Sequence, residues 1–528
     1  MLYLSTLIFL PIFGIIIISC LPKVYRIDWP RLVSITIFVS QLVLAVYVLW
    51  IVNISGYADN YYKQFILVEN YSWIHFNISK TLSFNIIYLL GADRINILLV
   101  VLSAFVFLIA SVLSKDLKEN RRSYYSLVML VSTAVTGCFF ALDLVLFFIF
   151  YELMLFPLFF LIVIWGYGKK LLAGIKFFVF TFSASLLILL GIIIIGIFAY
   201  DHVGIQNFNV IKLFEIINKK HYLFTSLSSN NQYFFNLLVF GLMFVGFAVK
   251  IPLFPLHLWL PQAHTCASTP ISIILAGISL KVGFYGLFRF VYGLFPALSL
   301  QFSQFIVYWS LFTIIYAGLN AFKSKDLKEM VAWSSISHMG FAMVGLASLT
   351  IEGINGAILQ LLSHGLLAIA LFLIPHFIYV RVNDRLIYNF TGLYNIMPKY
   401  ISVSTLIFFV SMGLPGFSPF IAELLILLSL IKMFLLNNIN ILIAVPFLLA
   451  LFIGVLYWLK IIKGMFLGQL LLKDNSYNQR LCDISFKESW TVIIVMLLVL
   501  LLGLYPNLIF NITDQPADAF IKYIYKVK

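Results

Sequence analysis

About fourteen separate stretches of this chain stay apolar for some 20 residues, the length a helix needs to cross roughly 30 Å of hydrocarbon. They lie near 2–21, 31–53, 93–113, 124–141, 143–166, 172–199, 234–258, 268–294, 302–321, 328–349, 354–379, 400–434, 440–467 and 489–510. The run at 400–434 is long enough to hold a break. Backbone groups in lipid must find partners within their own segment, and runs of this length do so as helices rather than as barrel strands. The expected fold is an all-α polytopic membrane protein with about fourteen transmembrane helices. Composition leaves little room for anything else, because 63% of the 528 residues are hydrophobic and 10% charged, against about a quarter charged in a typical soluble domain. The first twenty residues lack a basic n-region and a small-residue cleavage site, so they read as a first span rather than a signal peptide.

Charges outside these runs report orientation. Counted from the N-terminus, the odd gaps hold Lys23, Arg26 and Arg31; Lys115, Lys118, Arg121 and Arg122; Lys169 and Lys170; Lys323, Lys325 and Lys328; Arg381, Arg385 and Lys399; and Lys473, Arg480 and Lys487. The even gaps are nearly bare, apart from Lys63 and Lys80 in the second and Lys212, Lys219 and Lys220 in the sixth. By the positive-inside rule the odd gaps face the cytoplasm-like or matrix side, and an even number of helices puts both termini opposite. The formal net charge of +14 is explained by this pattern without nucleic acid. In the sixth gap Val210, Leu213, Phe214 and Ile217 recur at helical spacing and predict a short interfacial helix, with a solvated loop as the alternative. The tail, with Lys522, Lys526 and Lys528 among aromatics, reads as a surface segment.

Cys20, Cys138, Cys266 and Cys482 form no C-x-x-C pair, so no disulfide framework, zinc site or iron–sulfur cluster is expected. A glycine-rich dinucleotide fingerprint is also missing. Any redox chemistry connected with this chain belongs to another subunit.

Proline interrupts the apolar pattern twice, at Lys250-Ile-Pro252-Leu-Phe-Pro255 with Pro261 beyond, and at Gly413-Leu-Pro415-Gly-Phe-Ser-Pro419. Proline removes a backbone donor and breaks helices, which leaves carbonyls that need polar partners at membrane depth. Two interrupted segments in corresponding positions are the signature of inverted repeats. The expected organisation is helices 1–3 over residues 1–123, a first five-helix repeat over 124–294, a second over 295–467, and a C-terminal helix with a surface tail over 468–528.

An ionisable side chain in the hydrocarbon region costs at least about 2.5–3.5 kcal/mol on insertion scales, so a series of them suggests a pathway. The series is Glu152, Lys250, Lys281, His338, His364 and Glu423. Glu152 and Lys250 can act as a pair, since moving a carboxylate away from an ammonium weakens the hold on its proton. Lys281 is too deep to snorkel easily; binding the carbonyls freed at the first break is its alternative. His338 and His364 lie on consecutive runs beside serines that can hold water, as a relay or as packed core histidines. Haem would need paired histidine spacings that are missing, and no metal is expected. Glu423 follows the second break, where it serves as an exit group or as a partner for freed carbonyls. His257 and His264 flank the first break as access or capping groups. Lys460 stands near Lys463 and Trp458 as a weaker pathway candidate or a snorkelling residue, and Arg289 reads as an interface or packing anchor.

Tyr151-Glu152, the block Phe247-Ala-Val-Lys250-Ile-Pro-Leu-Phe-Pro255-Leu-His257-Leu-Trp259-Leu-Pro261-Gln-Ala-His264, the segment Leu275 to Arg289, Trp333-Ser-Ser-Ile-Ser-His338-Met-Gly340 and Ser363-His364-Gly365 resemble the NADH dehydrogenase subunit 4 family. These are antiporter-like, proton-pumping membrane subunits of respiratory complex I, which share one fold with the large subunits of multisubunit cation/proton antiporters. The resemblance runs from about 90 to 470. It implies two inverted five-helix repeats and two broken helices. It also implies that Glu152 and Lys250 modulate proton affinity, that Lys281 is the central carrier, that His338 and His364 bridge the repeats, and that Glu423 stands near the exit. A glutamate at this last position favours subunit 4 over its sisters, which have lysine there. Gln262 and the run Thr265-Cys266-Ala267-Ser268 depart from the family pattern.

The implied partners are other membrane-arm subunits of complex I on both flanks, together with lipids. NADH, FMN, iron–sulfur clusters and ubiquinone are expected in partner subunits and none in this chain. With 53 Phe and 28 Tyr, an A+T-rich organelle gene is the compositional expectation. The implied location is the mitochondrial inner membrane with both termini on the intermembrane-space side.

Overall fold

The computed structural model describes residues 2–21, 28–56, 60–77, 83–116, 120–203, 206–220, 229–435, 440–472, 477 and 480–526. Lys23, Arg26, Lys80, Lys118, Lys473 and Lys528 lie outside the described residues, as do the side chains of Lys219, Lys220 and Lys487. Among those described, 13 helices are long and apolar enough to cross a membrane, or up to 14 if one bent pair near the C-terminus is a single span. In chain order the helices are α1 Tyr3–Cys20, α2 Trp29–Ile54, α3 Asn96–Leu113, α4 Arg121–Phe140, α5 Leu144–Trp165, α6 Lys170–Val203, α7 Val210–Lys220, α8 Ser229–Lys250, α9 Leu260–Cys266 and α10 Thr269–Tyr292. There follow α11 Pro296–Lys323, α12 Leu327–Ala347, α13 Ile351–Val382, α14 Pro398–Ser411, α15 Ser418–Leu435, α16 Ala444–Phe466, α17 Phe486–Leu504 and α18 Asn507–Lys526. The last two, bent by 60°, are the pair in question.

Both proline sites are breaks. After Lys250 the chain turns through 251–259 before α9 begins, and the exposed backbone is satisfied from α11. The Phe254 N–H donates to Thr313 Oγ1 at 3.1 Å, and Trp309 Nε1 donates to the Phe254 carbonyl at 2.5 Å. The run at 400–434 divides into α14 and α15 at Gly413 and Gly416, whose φ values of +86° and +93° suit residues without a Cβ. The short helix of the sixth gap is α7, with Val210, Leu213, Phe214 and Ile217 buried as their spacing predicts.

The second gap also contains strands that its length and charge did not announce. β1 Ile66–Asn77 and β2 Ser83–Ala92 form an antiparallel hairpin, and β3 Gln206–Asn207 pairs in parallel with β2. Glu69 ties the hairpin to α1 by accepting the Leu4 N–H at 2.8 Å and the Ser5 hydroxyl. A smaller antiparallel pair joins β4 Phe390–Thr391 to β5 Leu471–Leu472.

The chain divides into two compact units. The first comprises Met1–Ile251, Ile278–Phe302 and Ile512–Lys528; the second comprises Pro252–Gly277 and Ser303–Asn511. Within the most apolar stretch of each helix, α10 and α13 are 100% buried and α12 is 94% buried, against 33% for α1 and α2. These enclosed helices carry Lys281, His338 and His364.

Among the described residues one gap charge is buried. Lys328, counted among the orienting charges, is 2% exposed in the first turn of α12, and its ammonium donates to the Ala267 carbonyl just past α9. Arg385 joins it by donating to the Thr265 carbonyl at 2.8 Å. Two cations thereby neutralise helix-end carbonyls that have no partner within the helix.

Asp326 sits at the centre of this corner. It caps α12 by accepting the N–H groups of Lys328 at 2.7 Å and Glu329 at 3.2 Å, and it receives Arg385 Nε at 2.5 Å. Asp326→Asn keeps the cap and loses the ion pair, whereas Asp326→Ala loses both. The alanine variant should be less stable than the asparagine variant by about 1 kcal/mol, the usual worth of a cap, in thermal unfolding of the detergent-solubilised protein. Equal midpoints would refute the capping role.

Candidate functional site

In the first unit the site is built from α5, α8 and α10. Glu152 stands in mid-helix on α5, which starts where Asp143 caps it by accepting the Val145 and Leu146 N–H groups at 3.0 and 3.1 Å. Lys250 is the last residue of α8, 1% exposed, so its ammonium lies at the end of the helix where carbonyls are unmatched and a cation is favoured. Its Nζ lies 5.3 Å from the Tyr151 ring centre and 5.8 Å from that of Phe177, within cation–π range.

Glu152 and Lys250 interact electrostatically without closing an ion pair. The Ser185 hydroxyl faces the carboxyl but donates to the Phe182 carbonyl on its own helix at 2.8 Å, so neither buried Glu152 oxygen closes a hydrogen bond.

Lys281, 0% exposed, follows a π-helical turn at Leu275–Ser279 in α10. Such turns mark places where a helix is locally re-registered, often at functional residues. Gly283, two residues further along and so on the other side of the helix from Lys281, lets α8 approach: a Cβ there would sit 2.8 Å from Lys250 Cβ. The small residue brings the two lysine-bearing helices together at this level.

In the second unit three expected residues meet. His338 on α12 and His364 on α13 have ring centres 5.4 Å apart, and His338 Nδ1 lies 4.0 Å from Glu423 Oε1. Two further groups complete the cluster. Gln360 Nε2 is 3.0 Å from His338 Nδ1, and Ser411 Oγ, at the end of α14, is 3.4 Å from His338 Nε2. With the Gln360 amide as donor, His338 accepts at Nδ1 and carries its proton at Nε2, toward Ser411. Gln360 Oε1 is buried without a partner. A half-turn of the amide would present that acceptor to a proton arriving on Nδ1. Glu423 is 7% exposed, and Gly413 at the second break lets it approach, since a Cβ at 413 would lie 3.0 Å from Glu423 Oε2.

The accessory candidates are placed differently. His257 is 1% exposed inside an aromatic box, 5.7 Å from Phe254, 5.3 Å from Tyr316 and 5.2 Å from Trp333, with neither ring nitrogen hydrogen-bonded. His264 is buried and stacks on Phe372 at 4.9 Å. Lys460 is exposed and donates to the Phe322 carbonyl at 2.5 Å, away from the His338 cluster. Arg289 follows the packing alternative of the sequence reading rather than the interface one: it is 0% exposed and paired with Asp93. The sequence search looked for charges, so it passed over Gln360. Its signal was the four-residue spacing to His364, which puts both on one face of α13.

Gln360→Leu keeps the bulk and removes the donor to His338. Proton transport by the protein in sealed vesicles should slow about tenfold, less than the roughly 10²–10⁴-fold supplied by a group that itself carries the proton, because Gln360 only orients the His338 ring. An unchanged rate would dissociate Gln360 from the relay.

A family model described as NADH:quinone oxidoreductase/Mrp antiporter, TM matches residues 141–452, which include every one of these candidates except Lys460. The chain is 35% identical over 446 residues to NADH-quinone oxidoreductase subunit M of Rickettsia prowazekii (strain Madrid E), an alignment covering 84% of each chain. It is 36% identical over 430 residues to NADH-ubiquinone oxidoreductase chain 4 of Chondrus crispus, covering 81% of this chain and 82% of that one. Its fold matches a chain of respiratory complex I from Thermus thermophilus with bound NADH at a TM-score of 0.80, covering 99% of each chain at 23% identity. A multi-pass membrane protein with this fold, this family match and these relatives belongs to the NADH:quinone oxidoreductase/Mrp antiporter membrane-subunit family.

Proposed function

We propose that this chain is a proton-translocating membrane-arm subunit of NADH:ubiquinone oxidoreductase, driven by quinone reduction elsewhere in the complex. The observation that carries the reading is ionisable groups buried in the most enclosed helices of a chain whose relatives are named as subunits of that enzyme. In this reading Glu152 and Lys250 tune proton affinity, Lys281 is the central carrier, His338 and His364 pass protons onward, and Glu423 stands at the exit. His257 and His264 line access to the first break. Lys460, tied outward to Phe322, is left out of the relay.

Separating Glu152 from Lys250 supplies the drive. Moving opposite charges from about 4 to about 8 Å at an effective dielectric constant near 20 changes their interaction by about 2 kcal/mol. That exceeds a tenfold change in proton affinity. The open geometry supports this role, since a closed, fully hydrogen-bonded pair would resist the motion.

The same reading assigns residues 124–294 and 295–467 to two inverted repeats, and the flanks to neighbouring membrane-arm subunits and lipid. It places NADH, FMN, iron–sulfur clusters and ubiquinone in partner subunits, and the chain in the mitochondrial inner membrane with both termini on the intermembrane-space side. The family also contains antiporter subunits, so a cation/proton antiporter subunit is the rival. The names of the relatives at 35% and 36% identity favour the respiratory enzyme.

Blue-native isolation should recover the chain with flavin- and iron–sulfur-bearing subunits; sodium-dependent proton exchange by an assembly lacking them would favour the antiporter. Within the isolated complex, Lys281→Ala and Glu152→Ala should each abolish most proton pumping while assembly persists. Pumping at the unsubstituted level would remove these residues from the pathway.

A further inference from the structure

One buried charge pair has no part in the relay just described. Arg289 is 0% exposed and Asp93 1% exposed, and the guanidinium donates to the Asp93 carboxylate and, at 3.1 Å, to the Tyr61 hydroxyl. Rings enclose it, with the Cζ atom 4.9 Å from the centre of Phe65, 5.4 Å from Tyr61, 5.5 Å from Phe288 and 5.6 Å from Tyr285. Its Nε is buried without an acceptor. Asp93 also accepts the N–H groups of Ile95 at 3.0 Å and Asn96 at 2.6 Å, and so opens α3.

As a source of stability this arrangement is poor. A buried ion pair loses solvation on both partners, and apolar residues of similar volume commonly hold a fold as well. Its position relative to Lys281 offers a reason for it. Arg289 lies in a second π-helical turn, Leu287–Tyr292, eight residues further along the same helix α10. At 1.5 Å per residue that is about 12 Å. A permanent cation at this distance, within enclosed protein, repels a proton on Lys281 unless a carboxylate masks it.

We propose that Asp93 and Arg289 are positioning residues for proton transfer at Lys281, acting as a masked charge that sets the pH range over which this lysine loads and releases protons. The proposal rests on the reading of Lys281 as a carrier. The other groups facing these residues in the first unit are Tyr61 beside the 61–63 turn, Tyr285 and Tyr292 on α10 itself, Tyr523 on α18 stacked 5.1 Å from Tyr61, and Arg94 donating to Gln515 at 2.7 Å. Beyond Gly283 on α10 lies Lys250 on α8, whose own titratable neighbours are Cys138 on α4 and Glu152 on α5. None of them replaces the carboxylate at Arg289.

The test is the pH profile of NADH-driven proton pumping in the assembled complex. Asp93→Asn keeps acceptors for the Ile95 and Asn96 N–H groups and unmasks the Arg289 charge, so the alkaline limb should move down by about one pH unit. Arg289→Gln unmasks Asp93 instead and should move the limb up by a similar amount. That size corresponds to one charge acting over about 12 Å at an effective dielectric constant near 20, about a tenfold change in affinity. The double variant Asp93→Asn, Arg289→Gln should return to the unsubstituted profile.

Single variants that pump with an unmoved limb, or that move in the same direction, overturn the proposal. If Asp93→Asn does not assemble, Arg289→Gln decides by its upward shift; if neither single variant assembles, the pair is a structural pin and the masking role is overturned. Lys281→Ala separates the two levels. Pumping that survives it defeats the carrier reading, while pumping lost in Lys281→Ala alongside an unmoved limb in Asp93→Asn defeats the masking alone.

Discussion

The cost of a charge in hydrocarbon orders this structure. Each ionisable group at membrane depth must be withdrawn from lipid and given polar or opposite-charge neighbours, and the three most enclosed helices each carry one. Lys281 lies on α10, His338 on α12 and His364 on α13, three helices enclosed almost throughout their apolar stretches. The outer helices α1 and α2 present Phe13, Val43, Trp50 and other large apolar side chains instead. Hydrophobicity alone would not sort the helices this way, because the enclosed ones are no more apolar than the exposed ones.

Backbone satisfaction applies the same rule at the breaks. A helix end at membrane depth leaves carbonyls and N–H groups without partners, and side chains serve several of these ends. Lys250 occupies the end of α8, Thr313 and Trp309 serve Phe254, and Lys328 with Arg385 serve the carbonyls at the end of α9. A broken helix therefore concentrates polar groups, and glycines at 283 and 413 let them approach without a Cβ in the way. The breaks and the ionisable residues are two consequences of one local arrangement.

Periodicity and proline made most of this fold legible. Runs of about 20 apolar residues located the spans to within a few residues, Pro252, Pro255 and Pro415 located the breaks, and the spacing of Val210, Leu213, Phe214 and Ile217 located α7. The hairpin of β1 and β2 escaped because its gap was read for charge, while its alternation spans only a dozen residues. Lys328 was misread as solvent-facing, and Arg289 was left between interface and packing, for a shared reason. A basic residue near a predicted helix end looks solvent-facing in one dimension, and only the chain distant in sequence, Ala267 for one and Asp93 for the other, supplies the buried partner. Gln360 escaped because a neutral amide draws attention only once a histidine is known to face it.

The two clusters of ionisable groups differ in how they can control a proton. Around Lys250 the neighbours are aromatic faces and a carboxylate that makes no hydrogen bond, so affinity there depends on separation and dielectric, quantities that small helix shifts change continuously. Around His338 the neighbours are an amide at one ring nitrogen, with the Glu423 carboxylate 4.0 Å from the same atom, and a hydroxyl at the other, so affinity depends on that carboxylate and also on tautomer and amide orientation, which change in discrete steps. A distance-sensitive group suits a place where a conformational signal is received, because it converts a graded displacement into a change of proton affinity. A hydrogen-bond-sensitive group suits a place where a proton must be handed on in one direction, because the donor that releases it is not the acceptor that receives it.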